Sequence, residues 1–296
     1  MSKVFVIGSI NMDLVVGTDR LPQIGETVHG SGFFINPGGK GANQAVAAQK
    51  LGGDVRFCAN VGSDEFGNIL ISGLKKYGVN TDFVEQQEKE ASGVAVITVV
   101  KGDNCIILAS GANGKMQAEQ IDRFLDTAGE GDILMVQMEI PEEMVRYALR
   151  IGKTKGMITI FNPAPAVGCN TSFYRYTDII IPNETEAFIL TGEKDPEKAA
   201  RLLAEIIPQV IITLGAHGCL YCNGDDYKIY DCPKVCAIDT TAAGDTFCGA
   251  LAARLSKGYS IETAIHFALN AASLAVTKKG AQSSIPYEHE VLNAIK

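Results

Sequence analysis

Short continuous apolar runs recur along the chain, and most of them end in polar or glycine-rich segments. The first covers residues 4–9, and its β-branched side chains predict a strand that is buried on both faces. Four later runs, at residues 133–139, 157–161, 178–181 and 210–214, alternate with helical patterns. This alternation predicts an α/β fold with a doubly wound, mostly parallel sheet, in which ligands bind outside the carboxyl ends of the strands.

Two regions, at about residues 13–37 and 91–110, differ from this pattern. Both show strand-like patterns punctuated by turn residues, and the second has a hairpin signal at residues 101–104. We expect them to form a small β-sheet that acts as a lid and keeps water from the site when ligand binds. Residues 1–296 are then one α/β domain with the lid sheet inserted.

The stretch at residues 239–247 reads Asp-Thr-Thr-Ala-Ala-Gly-Asp-Thr-Phe. Phe247, Leu251 and Leu255 recur every four residues, which predicts a helix whose N-terminus lies at residues 242–245. Free N–H groups there favour an anion such as a transferring phosphoryl group, and Asp245 could take a proton from a hydroxyl. A small-residue turn with an aspartate cap explains the stretch as well, so both interpretations stay open here.

A second glycine-rich stretch, Asn-Pro-Gly-Gly-Lys-Gly-Ala-Asn at residues 36–43, precedes an alanine-rich helix. Its glycines allow a ligand to approach the backbone, and Lys40 and Asn43 supply donors that suit sugar hydroxyls. It is not a Walker A P-loop, because Phe34 stands at the position of the first glycine of that motif and Gly41 at the position of its Ser or Thr.

Two pairs of polar residues follow predicted strands. Asn11 and Asp13 come after the first strand, where they could hydrogen-bond a polyol, although these residues taken alone favour an ordinary loop. Asn183 and Glu186 are three residues apart, so on one helical turn they face the same direction. A carboxylate at that position could hold Mg²⁺ through water, and a charged first helical turn is the alternative.

Charge and hydropathy exclude several classes of protein. The 296-residue chain has a net charge of −8 and no basic run, which argues against nucleic acid as its main partner. No apolar run approaches the roughly 18 residues of a membrane span. Residues 1–3 lead directly into the first strand without a signal-peptide pattern, so we expect a cytoplasmic protein.

Cysteine and histidine do not indicate a metal site. Free thiols are expected for the eight cysteines of a cytoplasmic chain. Cys219 and Cys222, with Cys232 and Cys236, could form a zinc site, but they lie in strand-like sequence and are better explained as buried strand cysteines. The four histidines lack the spacing of a metal site or a catalytic triad.

Four motifs together resemble the ribokinase family of carbohydrate kinases. Asn11-Met12-Asp13, the glycine-rich stretch at residues 38–43, Asn183-x-x-Glu186 and the stretch at residues 239–245 occur in the order of that family, over essentially the whole chain. The resemblance implies a ribokinase-like three-layer fold with a lid. It also implies ATP-dependent phosphorylation of the 5-hydroxyl of D-ribose to D-ribose 5-phosphate, the first step of ribose catabolism.

The resemblance further implies a role for individual residues. Asp245 would be the catalytic base, and the backbone of Ala242, Ala243, Gly244 and Asp245 the anion hole. The sugar would be bound, with Asp245, by Asn11, Met12, Asp13, Gly39, Lys40, Gly41, Ala42, Asn43 and Glu139. The nucleotide site would comprise Asn183, Glu186, Thr213, Leu214, Gly215, Ala216, His217, Gly218, Gly244, Asp245 and Asn270.

The family pattern also implies two cations and a homodimer. Glu186 would act indirectly on Mg²⁺. An activating K⁺ would be held, mostly through backbone carbonyls, by Asp239, Thr241, Ala275, Lys278, Gly280 and Ser284. The dimer would form through the lid sheet.

The chain departs from the family pattern in its last long helix, which leaves the base contact open. Leu269 stands where Asn or His is usual, with Asn270 beside it, and Lys278 stands where arginine is frequent. One alternative function is a related kinase for deoxyribose, fructose or a nucleoside, and another is a non-catalytic sugar- or nucleotide-binding regulator. A nicotinamide-dependent oxidoreductase is disfavoured because no G-x-G-x-x-G fingerprint follows Gly8.

Overall fold

The structure is a computed structural model, which describes residues 2–101, 103–166, 169, 171–224 and 226–295. The strands in these residues are β1 (Val4–Ile7), β2 (Asn11–Thr18), β3 (Ser31–Gly38), β4 (Val55–Gly62), β5 (Asn80–Gln87), β6 (Gly93–Val100), β7 (Asp103–Ala109), β8 (Ile133–Val136), β9 (Ile158–Phe161), β10 (Ile179–Ile180), β11 (Gln209–Thr213), β12 (Cys219–Asn223) and β13 (Asp226–Tyr230). The α-helices are α1 (Lys40–Lys50), α2 (Glu65–Lys76), α3 (Ala118–Leu125), α4 (Glu142–Thr154), α5 (Glu184–Thr191), α6 (Pro196–Ala204), α7 (Ala243–Ser256), α8 (Ile261–Ala275) and α9 (Glu288–Ile295).

Nine strands form the central sheet in the order β13-β12-β11-β10-β9-β8-β1-β4-β5. Neighbouring strands are parallel from β11 to β5, and the β11–β12 and β12–β13 pairs are antiparallel. The chain runs from β1 outward to β5 on one side, and from β8 outward to β13 on the other. The sheet is therefore doubly wound, as predicted, and its strand order reverses between β1 and β8, where ligands bind in such sheets.

Helices cover both faces of this sheet. Val4 and Val6 pack into a hydrophobic cluster with residues of α1, α7 and α8, whereas Phe5 and Ile7 pack into a second cluster with residues of α3 and α4. Successive side chains of a strand point to opposite faces, so β1 contributes to both clusters and is fully buried. The predicted three-layer arrangement is confirmed.

The remaining four strands form a small sheet in the order β3-β2-β6-β7. Asn11 and Asp13 belong to the start of β2, so the ordinary-loop alternative is wrong for these two residues. Strand β2 is antiparallel to β3 but parallel to β6, which makes the sheet mixed. Strands β6 and β7 pair as the predicted hairpin, whose turn residue Gly102 lies outside the described residues.

Helices α1 and α7 pack with their backbones in close contact. A Cβ atom built on Gly249 of α7 would lie 2.5 Å from Cβ of Ala47 and 2.7 Å from the carbonyl oxygen of Gln44. Only glycine fits between the two helices at that point. This contact holds the N-terminal turns of α1 and α7, which carry two of the predicted motifs, side by side.

The cysteine prediction is only half correct. Cys219 and Cys222 are buried in β12, but Cys232 is half-buried and Cys236 is exposed in the segment that follows β13. Among the described residues, no group of three or more His, Cys, Asp or Glu side chains is arranged to hold a metal ion. Within the same residues, no helix is long and apolar enough to cross a membrane.

Candidate active site

A cavity of about 230 Å³ lies where β9, β10 and β11 end. It brings together the glycine-rich stretch before α1, the Asn183–Glu186 pair and the stretch before α7. Its lining consists of Lys40, Asn162, Ala164, Ile181, Asn183, Glu186, Thr213, Thr240, Ala242, Ala243, Gly244, Asp245 and Cys248. Three motifs that are distant in the sequence therefore meet in one site, at the edge of the sheet where a ligand was expected.

Two amides of α1 hold the carboxylate of Asp245, which is only 8% exposed. Nδ2 of Asn43 donates to Oδ2 at 3.0 Å, and Nε2 of Gln44 donates to Oδ1 at 3.1 Å. The Gln44 amide is itself held, since its oxygen accepts from Gln137 at 2.7 Å and its nitrogen donates to Asn162 at 3.0 Å. Each carboxylate oxygen thus accepts one amide donor, and the Gln44 donor is itself held in place.

The N-terminus of α7 is open toward the cavity. Ala242 precedes the helix in a left-handed conformation with φ 59°, and Ala243 N donates to the Thr240 carbonyl at 3.2 Å. A Cβ atom built on Gly244 would meet no atom within 4 Å, so the space in front of this turn is free. The amides of the first helical turn lack intrahelical acceptors and favour an anion in that space.

Three hydrogen-bond donors hold the carboxylate of Glu139. Its Oε2 atom accepts from Ser9 Oγ at 2.5 Å, from the backbone N–H of Lys40 at 3.1 Å and from Asn11 Nδ2 at 3.4 Å. Glu139 follows β8, and its three donors come from the segment after β1, from the start of β2 and from the first residue of α1. Glu139 therefore ties the lid sheet and α1 to the central sheet.

Asp13 is buried beside two other carboxylates. Burial, followed by the negative charges of Glu139 and Asp245, raises the pKa of Asp13 to about 7. Its carboxylate lies over Gly38, where an added Cβ atom would come within 2.2 Å of Oδ2. The combination places a group that ionises near neutral pH in the predicted sugar site.

Lys40 is the positive charge among these carboxylates. Burial lowers its pKa, but Asp245, Glu139 and Glu186 together outweigh burial and raise the pKa of Lys40 above its usual value. Lys40 therefore stays protonated near neutral pH. Its ammonium group interacts with carboxylates of both the predicted sugar side and the predicted phosphate side.

Asn183 and Glu186 begin α5 as a capping box. Asn183 Oδ1 accepts from the Glu186 N–H, and Glu186 Oε2 accepts from the Asn183 N–H, both at 2.8 Å. Burial raises the pKa of Glu186, while the Asn183 N–H and Lys40 act in the opposite direction. Glu186 can therefore be both a charged residue of the first helical turn and a ligand-binding residue, because its capped carboxylate also lines the cavity.

Asp239 joins its own turn to the segment that follows α8. Its Oδ1 atom accepts from Thr241 N at 3.0 Å and its Oδ2 atom from Gly280 N at 2.9 Å. Although burial alone would raise the pKa of Asp239, these hydrogen bonds leave it below the usual value. The segment also carries Lys278 and Ser284, and α8 ends at Ala275, so the residues expected around K⁺ lie on two adjoining segments.

Some predicted site residues lie outside the cavity lining. Met12 and Ala42 are fully buried in the hydrophobic core, and Asn270 donates to the His266 carbonyl one turn earlier in α8. In the predicted nucleotide segment Thr213 lines the cavity, whereas Leu214, Gly215, Ala216, His217 and Gly218 follow it in a short 3₁₀ turn and its flanks. Gly39 and Gly41 contact the backbone of residues 8–11 rather than the cavity.

The structure adds polar residues that the motifs did not identify, namely Ser9, Gln44, Asn113, Gln137 and Asn162. Asn113 holds Asn11, because its Nδ2 donates to Asn11 Oδ1 at 2.7 Å. The sequence feature that could have identified them is a polar residue within an apolar or alanine-rich run, such as Gln44 in α1 or Gln137 after β8. That signal indicates burial next to a polar partner but does not identify the partner.

Comparison with known proteins identifies the family. Residues 1–288 match the pfkB family of carbohydrate kinases. The chain belongs to this family. Among curated pfkB-type relatives, the ribokinase of Haemophilus influenzae is 41% identical over 298 residues, which cover 98% of this chain and 97% of the relative. The chain is therefore an ATP-dependent carbohydrate kinase.

Two solved structures of the pfkB kinase fold resemble the chain over its whole length. The ribokinase of Thermotoga maritima has a TM-score of 0.91 at 40% identity, and the alignment covers 100% of this chain and 99% of that one. The ribokinase of Arabidopsis thaliana, complexed with ribose and ATP, has a TM-score of 0.89 at 32% identity, with 100% and 99% covered. The ribokinase-like fold predicted from the motifs is confirmed.

Proposed function

We propose that this pfkB kinase is a ribokinase, which transfers the γ-phosphoryl group of ATP to the 5-hydroxyl of D-ribose. The observation that carries the proposal is the carboxylate of Asp245, oriented by two amides at the open N-terminus of α7. A general base and an anion site are the two features that phosphoryl transfer to a hydroxyl requires of a protein. The product, D-ribose 5-phosphate, makes this the first step of ribose catabolism.

The sugar pocket is suited to a neutral polyol. Asp13, Glu139 and Asp245 interact electrostatically, so an already phosphorylated sugar would be repelled. Among the described residues Asn43 Oδ1 is buried without a hydrogen-bond partner, and a buried acceptor of this kind favours a ligand hydroxyl. Together with Asn11 and the first turn of α1, these groups form the proposed ribose site.

In the proposed reaction each residue acts at a defined point. The 5-hydroxyl gives its proton to a carboxylate oxygen of Asp245 as the oxygen attacks the γ-phosphorus, and the bond from that phosphorus to the β,γ-bridging oxygen of ATP breaks, so that ADP leaves. The amides of Gly244 and Asp245, with the Lys40 ammonium, stabilise the charge on the transferring group. The lid sheet excludes water, so that phosphate is transferred to sugar and not to water.

Two cations are part of the proposal. Glu186 fits an indirect contact to Mg²⁺, since one of its oxygens is held by Asn183 N and Asp245 is the only other carboxylate in the described lining of the cavity. Magnesium in such a site keeps several waters and binds the nucleotide phosphates. A K⁺ ion would lie near Asp239, where it would fix the turn that leads into α7, and so activate transfer.

The experiment that tests the function measures ADP release with Mg²⁺–ATP and a panel of acceptors, each with and without about 100 mM K⁺, an ionic strength near the physiological range. We expect turnover with D-ribose that rises with K⁺. Turnover only with deoxyribose, fructose or a nucleoside would keep the role of Asp245 and reject ribose. Ribose binding without turnover on any acceptor would favour a sugar-binding regulator.

Replacing Lys40 by alanine should raise the KM for ribose more than the KM for ATP. The reason is that the ammonium interacts electrostatically with Glu139 and Asp245, which belong to the proposed sugar site. Steady-state kinetics with each substrate varied in turn measures both constants. A larger rise in the KM for ATP would assign Lys40 to the phosphates instead.

The affinity for ribose should fall as the pH is lowered through 7. Only ionised Asp13 accepts hydrogen bonds with both oxygens, and its pKa of about 7 leaves most of it protonated at pH 6. Calorimetry should show ribose binding about tenfold more weakly at pH 6 than at pH 8. Asp13→Asn should bind weakly at both pH values. Equal affinity of the wild type at pH 6 and pH 8 would contradict this role.

A homodimer through the lid sheet is the proposed assembly. The lid exposes Phe33 and Ile107 by 67% and 72%, together with Phe34, Ile35, Ile106 and Leu108. Exposed apolar patches of this kind mark interaction sites. Sedimentation should show a dimer that Ile107→Glu converts to monomer, whereas Ile229→Glu, at a 51% exposed residue of β13, should leave it dimeric. A monomeric wild type at micromolar concentration would reject the dimer.

The domain organisation and the cellular location are also part of the proposal. Residues 1–296 form one catalytic domain, with the lid inserted at about residues 13–37 and 91–110. The protein acts in the cytoplasm, where ATP and K⁺ are abundant. Limited proteolysis tests the single domain, and imaging of a tagged protein tests the cytoplasmic location.

A further inference from the structure

A second cavity, of about 430 Å³, lies between helix α4 and the 3₁₀ turn at Thr171–Tyr176. It shares no lining residue with the active-site cavity. Arg146, Arg150 and Arg175 line it, and they are three of the eight arginines in the chain. We call this cavity the arginine groove. The concentration of positive charge is unexpected in a protein with a net charge of −8.

The arginines of the groove lack the carboxylate partners that other arginines have. Arg20, Arg123 and Arg254 form ion pairs with Glu26, Glu85 and Glu288. Among the described residues, none of the three groove arginines has a carboxylate within 4.0 Å. Glu143 is the only carboxylate in the described lining, so the lining has an excess of positive charge.

Aromatic rings hold two of these guanidinium groups in place. Arg150 lies over the ring of Tyr147, with Cζ 5.0 Å from the centroid, and Arg175 lies over Tyr176 at 4.8 Å. The Tyr147 hydroxyl donates to Asp122 at 2.8 Å, which fixes its ring. A stacked guanidinium keeps its planar set of N–H donors available for a ligand.

We propose that the arginine groove binds a small phosphate monoester, either a sugar phosphate or a nucleotide, at a site separate from the active site. Arginine matches phosphate through paired N–H···O bonds, and three unpaired guanidinium groups around one cavity repel each other unless an anion lies between them. The groove has the volume of a small-molecule site, and its tyrosine rings offer apolar surface to a sugar or a base. The proposal does not depend on which sugar the active site phosphorylates.

Side-chain NMR of the ¹⁵N-arginine-labelled protein tests the proposal directly. The described residues that line the active-site cavity include no arginine, so arginine Nε–H signals report on the groove and not on that cavity. Ribose 5-phosphate, AMP, inorganic phosphate and neutral ribose are titrated in separate samples, with signals assigned from single Arg→Gln variants. We expect saturating shifts of Arg146, Arg150 and Arg175 with at least one phosphate compound and none with ribose.

The double variant Arg150→Gln/Arg175→Gln should lose these shifts at Arg146. Arg201→Gln is the matched control, because Arg201 also stacks on a tyrosine, Tyr227, at 5.1 Å but lies outside the groove. It should leave the shifts unchanged. Stronger shifts with ribose 5-phosphate than with AMP would identify a sugar phosphate as the occupant, and the reverse a nucleotide.

Shifts that do not saturate, or that are equally large at Arg201, would overturn the proposal. The titration itself uses the wild-type protein, so the proposal stays testable if the double variant fails to fold, provided that single variants assign Arg201 and one groove arginine. Ribose phosphorylation measured on the same samples tests the proposed function independently. The double variant should retain that turnover in the absence of added phosphate compounds.

Discussion

Asp245→Asn should lower kcat for ribose phosphorylation by about 10²-fold or more, which is the low end of the effect of a positioned base. An amide cannot take the hydroxyl proton, and the KM values should change little because the shape of the site is kept. The substitution has a second consequence. Asn43 and Gln44 both donate to this side chain, so one of them loses its acceptor and the free energy of unfolding should fall by about 1–3 kcal/mol.

Three further measurements separate the chemical role of Asp245 from this local mismatch. Asp245→Ala removes the base without placing one amide against another, and it should show the same loss of kcat. Glu65→Gln is the matched control, because Glu65 is an exposed carboxylate in the first turn of α2. Calorimetry should show that Asp245→Asn still binds ribose. A kcat within twofold of wild type would refute the base assignment.

Continuous apolar strands were the most predictable part of the fold. The runs at residues 4–9 and 133–139 correctly predicted β1 and β8, but the observed strands end at Ile7 and Val136. Gly8, Ser9 and Gln137 lie past the ends of the strands but are still buried, so the runs extend beyond the paired residues. By contrast, β5 has mixed polarity and lies at the sheet edge with much of its surface exposed, so no apolar run indicated it.

Helix ends were predictable where a cap or stop residue marks them. The helical pattern of residues 260–277 predicts a helix start at Ser260, and Ser260 is the N-cap of α8. Lys257-Gly258 predicts a helix stop, and α7 ends just before Lys257. A proline at the start of a helical pattern predicts the first helical position, whereas Pro141 lies at the N-cap of α4. The difference of one residue arises because proline has no N–H group and suits either position.

The candidate site could be predicted only as a set of separate motifs. Local patterns indicated Asp245 and Asn43, but the hydrogen bond between them joins residues 202 positions apart. Ser9 and Gln44 were missed for the same reason, since their functional partners lie more than 100 residues away. Residue type and local pattern identify groups suited to chemistry, while the packing of α1 on α7 decides which groups meet.

Gly41→Ala should lower kcat/KM for ribose by about 10²-fold, because Gly41 packs the start of α1 directly against the backbone of Gly8 and Ser9. The added Cβ atom would lie 2.6 Å from Ser9 N and 2.7 Å from two backbone atoms of Gly8, none of which can move without shifting β1. The start of α1 would have to retreat, taking Lys40 and Asn43 with it. A displacement of about 1 Å in a catalytic site typically lowers the rate by about 10²-fold.

The same close contact should destabilise the fold, with unfolding free energy lower by about 1–3 kcal/mol as in other overpacked sites. Gly73→Ala provides the matched control. Gly73 lies within α2, and a Cβ atom there would meet nothing within 4 Å. This variant should gain about 0.5–1 kcal/mol in a denaturant titration, because alanine favours the helix, and keep wild-type kinetics. If Gly41→Ala retained kcat/KM within threefold while Gly73→Ala behaved as expected, close packing at Gly41 would not be what positions α1.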